Sequence, residues 1–95
     1  MDDEEPIELP IDGTLDLHTF RPGEVKELLV VYIEECLDRG IHDLRIIHGK
    51  GTGALRELVH AQLRKNPHVA QFSLGTGPGG WGATMVRLKP IKNGD

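Results

Sequence analysis

Between Pro22 and Gly40, apolar residues recur at the spacing of one helical face: Val25, Leu28, Leu29, Tyr32, Ile33, Cys36 and Leu37. This stripe restricts the fold more than any other feature of the chain. A period near 3.6 sustained over that length specifies an amphipathic helix. Pro22 fits its first turn, where no amide bond is lost, and Gly40 fits its stop. On both sides the period changes to two. In "TLDLH", residues 14–18, Leu15 and Leu17 alternate with Asp16 and His18, and "HDLRIIH", residues 42–48, reads as a buried strand. A helix bracketed by two strands is a parallel β-α-β unit with a right-handed crossover.

The second half repeats the theme and then changes it. "GALRELVHAQLRKN" places Leu55, Leu58, Val59 and Leu63 on one helical face and is stopped by Asn66 and Pro67. "VAQFSLG" alternates Val69, Gln71 and Ser73 against Ala70, Phe72 and Leu74, and "ATMVRLK" turns Thr84, Val86 and Leu88 one way. The glycine-rich "GTGPGGWG" joins them as a long hairpin connection. The expected fold is α/β, a two-layer β-α-β-α-β-β sandwich with a small mixed four-stranded sheet and two helices on one face. With 95 residues there is room for one domain. Its expected limits are 14–90, preceded by an acidic arm over 1–13 and followed by a short tail over 91–95.

Composition narrows the setting. No apolar run approaches the roughly 20 residues of a membrane span. "MDDEEPIELP" has neither the basic nor the apolar part of a signal peptide, so a cytoplasmic location is expected. The single cysteine, Cys36, falls on the apolar face of the first helix and reads as a packed thiol. The net charge of −4 is misleading, because residues 1–13 carry −6 with no Lys or Arg and leave the remainder at +2. From Leu58 to Gly94 there is no acid, while Arg64, Lys65, Arg87, Lys89 and Lys92 are present. That balance permits a phosphate-bearing partner.

The loops carry the chemistry. In open α/β sheets ligands collect beyond the carboxyl ends of the parallel strands, and His18 and His48 end the first two strands. Neighbouring strands lie about 4.8 Å apart, so the two imidazoles are expected to converge on one small group. Asp16, two residues before His18, shares its face and is placed to orient an imidazole. The next loop, "HGKGTG", sets Gly49, Gly51 and Gly53 around Lys50 ahead of a helix whose first amides are unpaired, an arrangement suited to an anion. Arg56 in the first helical turn and Arg21 after the first strand add positive charge to the same end. "GGWGAT" brings Gly79, Gly80 and Gly82 around Trp81, an aromatic that could stack on a base.

Rival motifs fail on spacing. A P-loop needs Gly where Leu44 stands and Ser or Thr where Gly51 stands. "GKGTGA" fits a dinucleotide fingerprint, but the acid expected about 20 residues later is missing. No small-molecule cofactor is therefore expected. A facial metal triad of Asp16, His18 and His48 is compatible with the residue types, but nothing in the sequence supplies its outer partners.

Taken together, "LDLH" at 15–18, "HGKGTGALR" at 48–56 and "GGWGATMVRL" at 79–88 resemble, in order, the three motifs of the Smr (small MutS-related) domain family. The chain looks like the stand-alone type. The resemblance implies a fold like the C-terminal domain of translation initiation factor 3, and an endonuclease or nucleic-acid-binding activity on RNA or DNA. One position departs from the pattern: the family's first motif often runs on into Gly, where this chain has Thr19. The implied reaction is phosphodiester cleavage. His18 and His48 would serve as general base and acid, Asp16 would set a tautomer, and the Gly49–Gly53 amides with Lys50 would hold the phosphate. Attack by an RNA 2′-hydroxyl needs no metal, whereas cutting DNA with water favours Mg or Mn near Asp16. The alternative is a non-catalytic module that docks on structured RNA, a ribosome or branched DNA through the same cleft, using Arg21, Lys50, Arg56 and Trp81.

The acidic arm joins the strand that ends in Asp16 and His18, so it can compete with phosphate for the positive end of the domain. Deleting residues 1–12 is expected to tighten nucleic-acid binding at low salt, with the gain shrinking as ionic strength rises. A tail that serves solubility alone leaves affinity unchanged. Paired titrations of the full-length and truncated chains at two salt concentrations separate the two.

Overall fold

A computed structural model of the chain describes residues 11–49, 53–75 and 80–90. Its elements follow the expected order: β1 (Thr14–Asp16), α1 (Pro22–Asp38), β2 (Asp43–Ile47), α2 (Ala54–Lys65), β3 (Val69–Leu74), a 3-10 turn over Gly80–Gly82, and β4 (Ala83–Leu88). The sheet order is β1-β2-β4-β3. β1 runs parallel to β2, and β4 is inserted antiparallel between β2 and β3.

The α1 stripe is buried as its spacing requires, with Val25, Leu29, Tyr32, Ile33, Cys36 and Leu37 in the core and Leu28 packed at its margin. Glu24 caps the start by accepting the Arg21 amide at 2.9 Å. At the other end Gly40 adopts φ +75°. The Gly40 and Ile41 amides turn back to the Leu37 and Cys36 carbonyls, a Schellman closure. From the strands, Leu15, Leu17, Leu44, Ile46, Val86 and Leu88 meet α1, Val59 and Leu63 in one cluster. The alternate residues Thr14, Asp16, Asp43, Arg45, Met85 and Arg87 are exposed. The sheet therefore has one covered face and one open face. On the open face Arg87 crosses to Asp43, its register partner, with Nε 2.6 Å from Oδ1.

One strand departs from simple alternation. The β3–β4 register shifts between Val69 and Gln71, and this bulge lets Val69 and Phe72 both pack on the core although their parity differs. At the far end of the hairpin the two chain segments nearly touch. A Cβ on Gly75 would stand 2.5 Å from the Gly80 carbonyl oxygen, and one on Gly80 would stand 2.9 Å from the Gly75 carbonyl carbon. Gly80→Ala is thus expected to cost about 1–3 kcal/mol by forcing backbone apart. Gly23, in the first turn of α1, has nothing within 4 Å of the corresponding position. Gly23→Ala should stabilise by about 0.4–1 kcal/mol through the unfolded chain. Urea midpoints of the two variants should therefore move in opposite directions.

Candidate active site

Where β1 ends, the chain turns sharply: the Phe20 amide bonds the Leu17 carbonyl at 3.0 Å. Asp16 holds this turn. Its Oδ1 accepts the His18 backbone amide at 3.0 Å and lies 2.7 Å from His18 Nδ1, an Asx-type turn that also captures the ring. Because a carboxylate only accepts, Nδ1 carries the proton and the neutral ring keeps its lone pair on Nε2. Nε2 has no protein partner among the described residues, and the His18 side chain is 70% exposed. The backbone and ring bonds from His18 hold the Asp16 carboxyl below its ordinary value of 3.8. Thr19, in the same turn, needs no special backbone: no described residue other than glycine has positive φ.

His48 occupies the other face. Along β2 it shares the parity of Leu44 and Ile46, which are buried, while His18 shares the parity of Asp16, which is exposed. The expected convergence of the two imidazoles on one group is thereby corrected, because adjacent strand ends in register turn these two side chains to opposite sides of the sheet. His48 is only 6% exposed. Its Nδ1 stands 3.0 Å from the Gly49 carbonyl and its Nε2 stands 2.8 Å from Thr84 Oγ1. Among the described residues no cluster of three His, Cys, Asp or Glu side chains forms a metal-binding group.

The strand ends are locked from below. Both the His48 and Gly49 amides bond the Gly82 carbonyl, at 3.0 and 2.8 Å, so Gly82 is a backbone clamp. Gly80 serves the close crossing with Gly75. Gly53 caps α2 with φ +91°, and the Arg56 guanidinium folds over it: a Cβ on Gly53 would meet Nη2 at 2.8 Å. Arg56 Nε lies 3.7 Å from the Glu57 carboxylate. Arg21 caps α1 through its backbone and is exposed. Lys50 and Gly51 lie outside the described residues, as does the side chain of Trp81, whose backbone belongs to the 3-10 turn.

Sequence reasoning missed two residues. His60 Nε2 stands 2.7 Å from the same Thr84 hydroxyl that His48 reaches, and its ring lies 6.1 Å from that of His48 and 4.9 Å from that of Phe72. Thr84 is fully buried. A hydroxyl on an inward strand position between apolar neighbours must have a buried partner, and that was the available signal. Burial, and after it the neighbouring His48, push the His60 ring below the ordinary imidazole value.

Asp16 generates a prediction with a definite sign. A carboxyl whose folded value is depressed contributes stability above its unfolded value and loses it as pH falls through the folded one. Screening keeps the effect small, since the Asp16 side chain is 47% exposed. Wild type should therefore exceed Asp16→Asn in urea midpoint at about pH 6, with the gap closing towards about pH 3.

The sequence and the fold are similar to those of known proteins. A family model described as the Smr domain matches residues 15–89. The chain is 42% identical over 80 residues to endonuclease MutS2 of Halothermothrix orenii and 45% identical over 77 residues to that of Clostridium acetobutylicum. These matches cover 83% and 80% of this chain but only 10% of either relative. Among solved structures, the Smr domain of Thermus thermophilus MutS2 superposes with TM-score 0.75 at 36% identity, covering 83% of this chain and all of that one. YdaL, a stand-alone small MutS-related protein from Escherichia coli, gives TM-score 0.73 at 27% identity over 81% of this chain and 64% of its own. With a family match that spans nearly the whole described fold, the chain belongs to the Smr domain family.

Proposed function

We propose that the chain is a nucleic-acid endonuclease domain that cleaves phosphodiesters of RNA or of structured DNA, with the Asp16–His18 pair as its general base. The observation that carries this reading is the exposed His18 ring, held at Nδ1 by a carboxylate 2.7 Å away with Nε2 unpartnered among the described residues. An imidazole oriented in this way can take a proton from an attacking hydroxyl, and the carboxylate stabilises the imidazolium that forms. Gly49, Lys50, Gly51 and Gly53 would receive the phosphate, and Arg56, folded against Gly53, would supply charge beside it. Arg21 and the Gly80–Trp81–Gly82 turn would contact the flanking strand. On RNA the attacking group is the 2′-hydroxyl. On DNA it is water, and Mg or Mn held near Asp16 would lower its pKa.

The burial of His48 favours a division of labour over a two-histidine mechanism. A ring that is 6% exposed and engaged at both nitrogens supports the loop and does not meet a leaving group. The same observation supports a second reading, in which the domain docks on structured RNA, a ribosome or branched DNA without cutting it. Cleavage assays on single-stranded RNA and on branched DNA, with and without chelator, separate the two. His18→Ala should lower turnover by about 10²–10⁴-fold. Equal cleavage by both proteins removes His18 from the chemistry, and binding without product under every condition selects the docking module.

A cyclic phosphate on the product would identify attack by the 2′-hydroxyl, and a simple 5′-phosphate would identify water. Lys50→Ala should weaken binding evenly across sequences and flatten the log–log salt dependence by about one phosphate contact. An unchanged slope would take Lys50 off the phosphate.

A further inference from the structure

Three hydrogen bonds on the covered face have only one consistent direction when both rings are neutral. The Gly49 carbonyl can only accept, so His48 Nδ1 carries a proton and donates to it at 3.0 Å. The neutral ring then has a bare Nε2, and that nitrogen must accept from the Thr84 hydroxyl at 2.8 Å. A hydroxyl has a single proton. Thr84, having given it to His48, can only accept from His60, so His60 Nε2 carries a proton and donates at 2.7 Å. The chain therefore runs from His60 through Thr84 to His48 and ends on the Gly49 carbonyl, with the two histidines in opposite tautomers. His60 Nδ1, at the entry, has no protein partner among the described residues, and the ring is half-buried where that of His48 is sealed.

We propose that Thr84 is a positioning residue of the site, and that His48, Thr84 and His60 form a proton relay that places positive charge beside Gly49 when an anion binds at that end of the sheet. The relay balances atom by atom. A proton from hydronium adds to His60 Nδ1 and leaves water, the Nε2 proton of His60 passes to Thr84 Oγ1, and the original Thr84 proton passes to His48 Nε2. His60 is left neutral with its proton on Nδ1, Thr84 is again a hydroxyl, and His48 is an imidazolium that still donates Nδ1–H to Gly49. A bound phosphate favours this state by its charge. The groups acting on the entry ring are Arg56, Glu57 and Arg64 from its own helix and His48 from just beyond β2. Phe72 from β3 and Thr84 from β4 are uncharged. The two arginines oppose a resident charge on His60, which suits a ring that passes its proton on. The anion's place at that end of the sheet rests on the proposed nucleic-acid reading, whereas the hydrogen-bond direction does not.

The test uses long-range 1H–15N spectra of the imidazoles in the full chain, for wild type, Thr84→Ser and Thr84→Val. In the free protein at alkaline pH, His48 should show the Nδ1–H tautomer and His60 the Nε2–H tautomer. On acidification the rings in wild type and Thr84→Ser should move together and share about one proton before a second is bound. In Thr84→Val they should titrate through separate midpoints. Saturation with a short 2′-O-methyl RNA, which has no 2′-hydroxyl to attack with, should protonate both nitrogens of His48 in wild type and Thr84→Ser but not in Thr84→Val. A His48 ring in the Nε2–H tautomer, independent titration in wild type, or a neutral His48 in the saturated complex would overturn the relay. RNA that fails to bind would count against the nucleic-acid reading, while the tautomers and acid titration of the free protein would still decide the relay. Thr84→Ser guards against a packing explanation, because it removes the methyl group and keeps the hydroxyl.

Discussion

Two amides at the end of β2, those of His48 and Gly49, converge on one carbonyl, that of Gly82, and the architecture of the site depends on this junction. It fastens the β-α-β half of the chain to the closing hairpin at the point where the Gly-rich loop departs. β4 can then lie between β2 and β3, and its first inward side chain, Thr84, arrives beneath His48. Glycine at 82 suits a carbonyl approached by two amides in a buried turn, and Gly75 and Gly80 permit the crossing that brings the turn there. The described part of the third motif, Gly80 to Leu88, thus acts first as a backbone device.

The pleat of the sheet then divides the chemistry. Odd positions in β1 and even positions in β2 and β4 face the helices, so Asp16 and His18 emerge on the open side while His48 is enclosed. An exposed imidazole oriented by a carboxylate is suited to handling protons of a substrate. A buried imidazole tied at both nitrogens is suited to holding a loop and, through Thr84, to communicating with α2. The two histidines that the sequence presents as equivalent strand-end residues have opposite environments for this reason.

Much of this was legible in the residues. The period of the α1 stripe, Pro22 in its first turn and the stop at Gly40 gave the helix with its ends, and alternation gave each strand. The β3 bulge was not legible, because Val69 and Phe72 satisfy the core only through a register shift that depends on the partner strand. The Asp16–His18 pairing was legible as a two-residue separation, while the contact itself is made by the turn after β1, which brings the His18 amide and ring Nδ1 to one carboxylate oxygen. The separation of His18 from His48 was also present as parity, since His48 continues Leu44 and Ile46, but strand-end proximity pointed the other way. His60 could not be placed without the tertiary fold: it lies beside the core stripe of α2, and only the packing of that helix over β4 brings it to Thr84. The family resemblance agreed with the fold and with membership in the Smr family, while the division between an exposed and an enclosed histidine came from the geometry.

The central claim is that His18 acts on substrate and His48 acts on structure. Its most direct test is a side-by-side measurement of cleavage rate and urea midpoint for His18→Asn and His48→Asn. The account predicts that the His18 variant keeps the wild-type midpoint and loses turnover. It predicts that the His48 variant unfolds at lower urea, since a buried, doubly bonded ring is lost, and keeps the larger share of its turnover while folded. A His48 variant of full stability with no turnover, beside a His18 variant that still cuts, would contradict it.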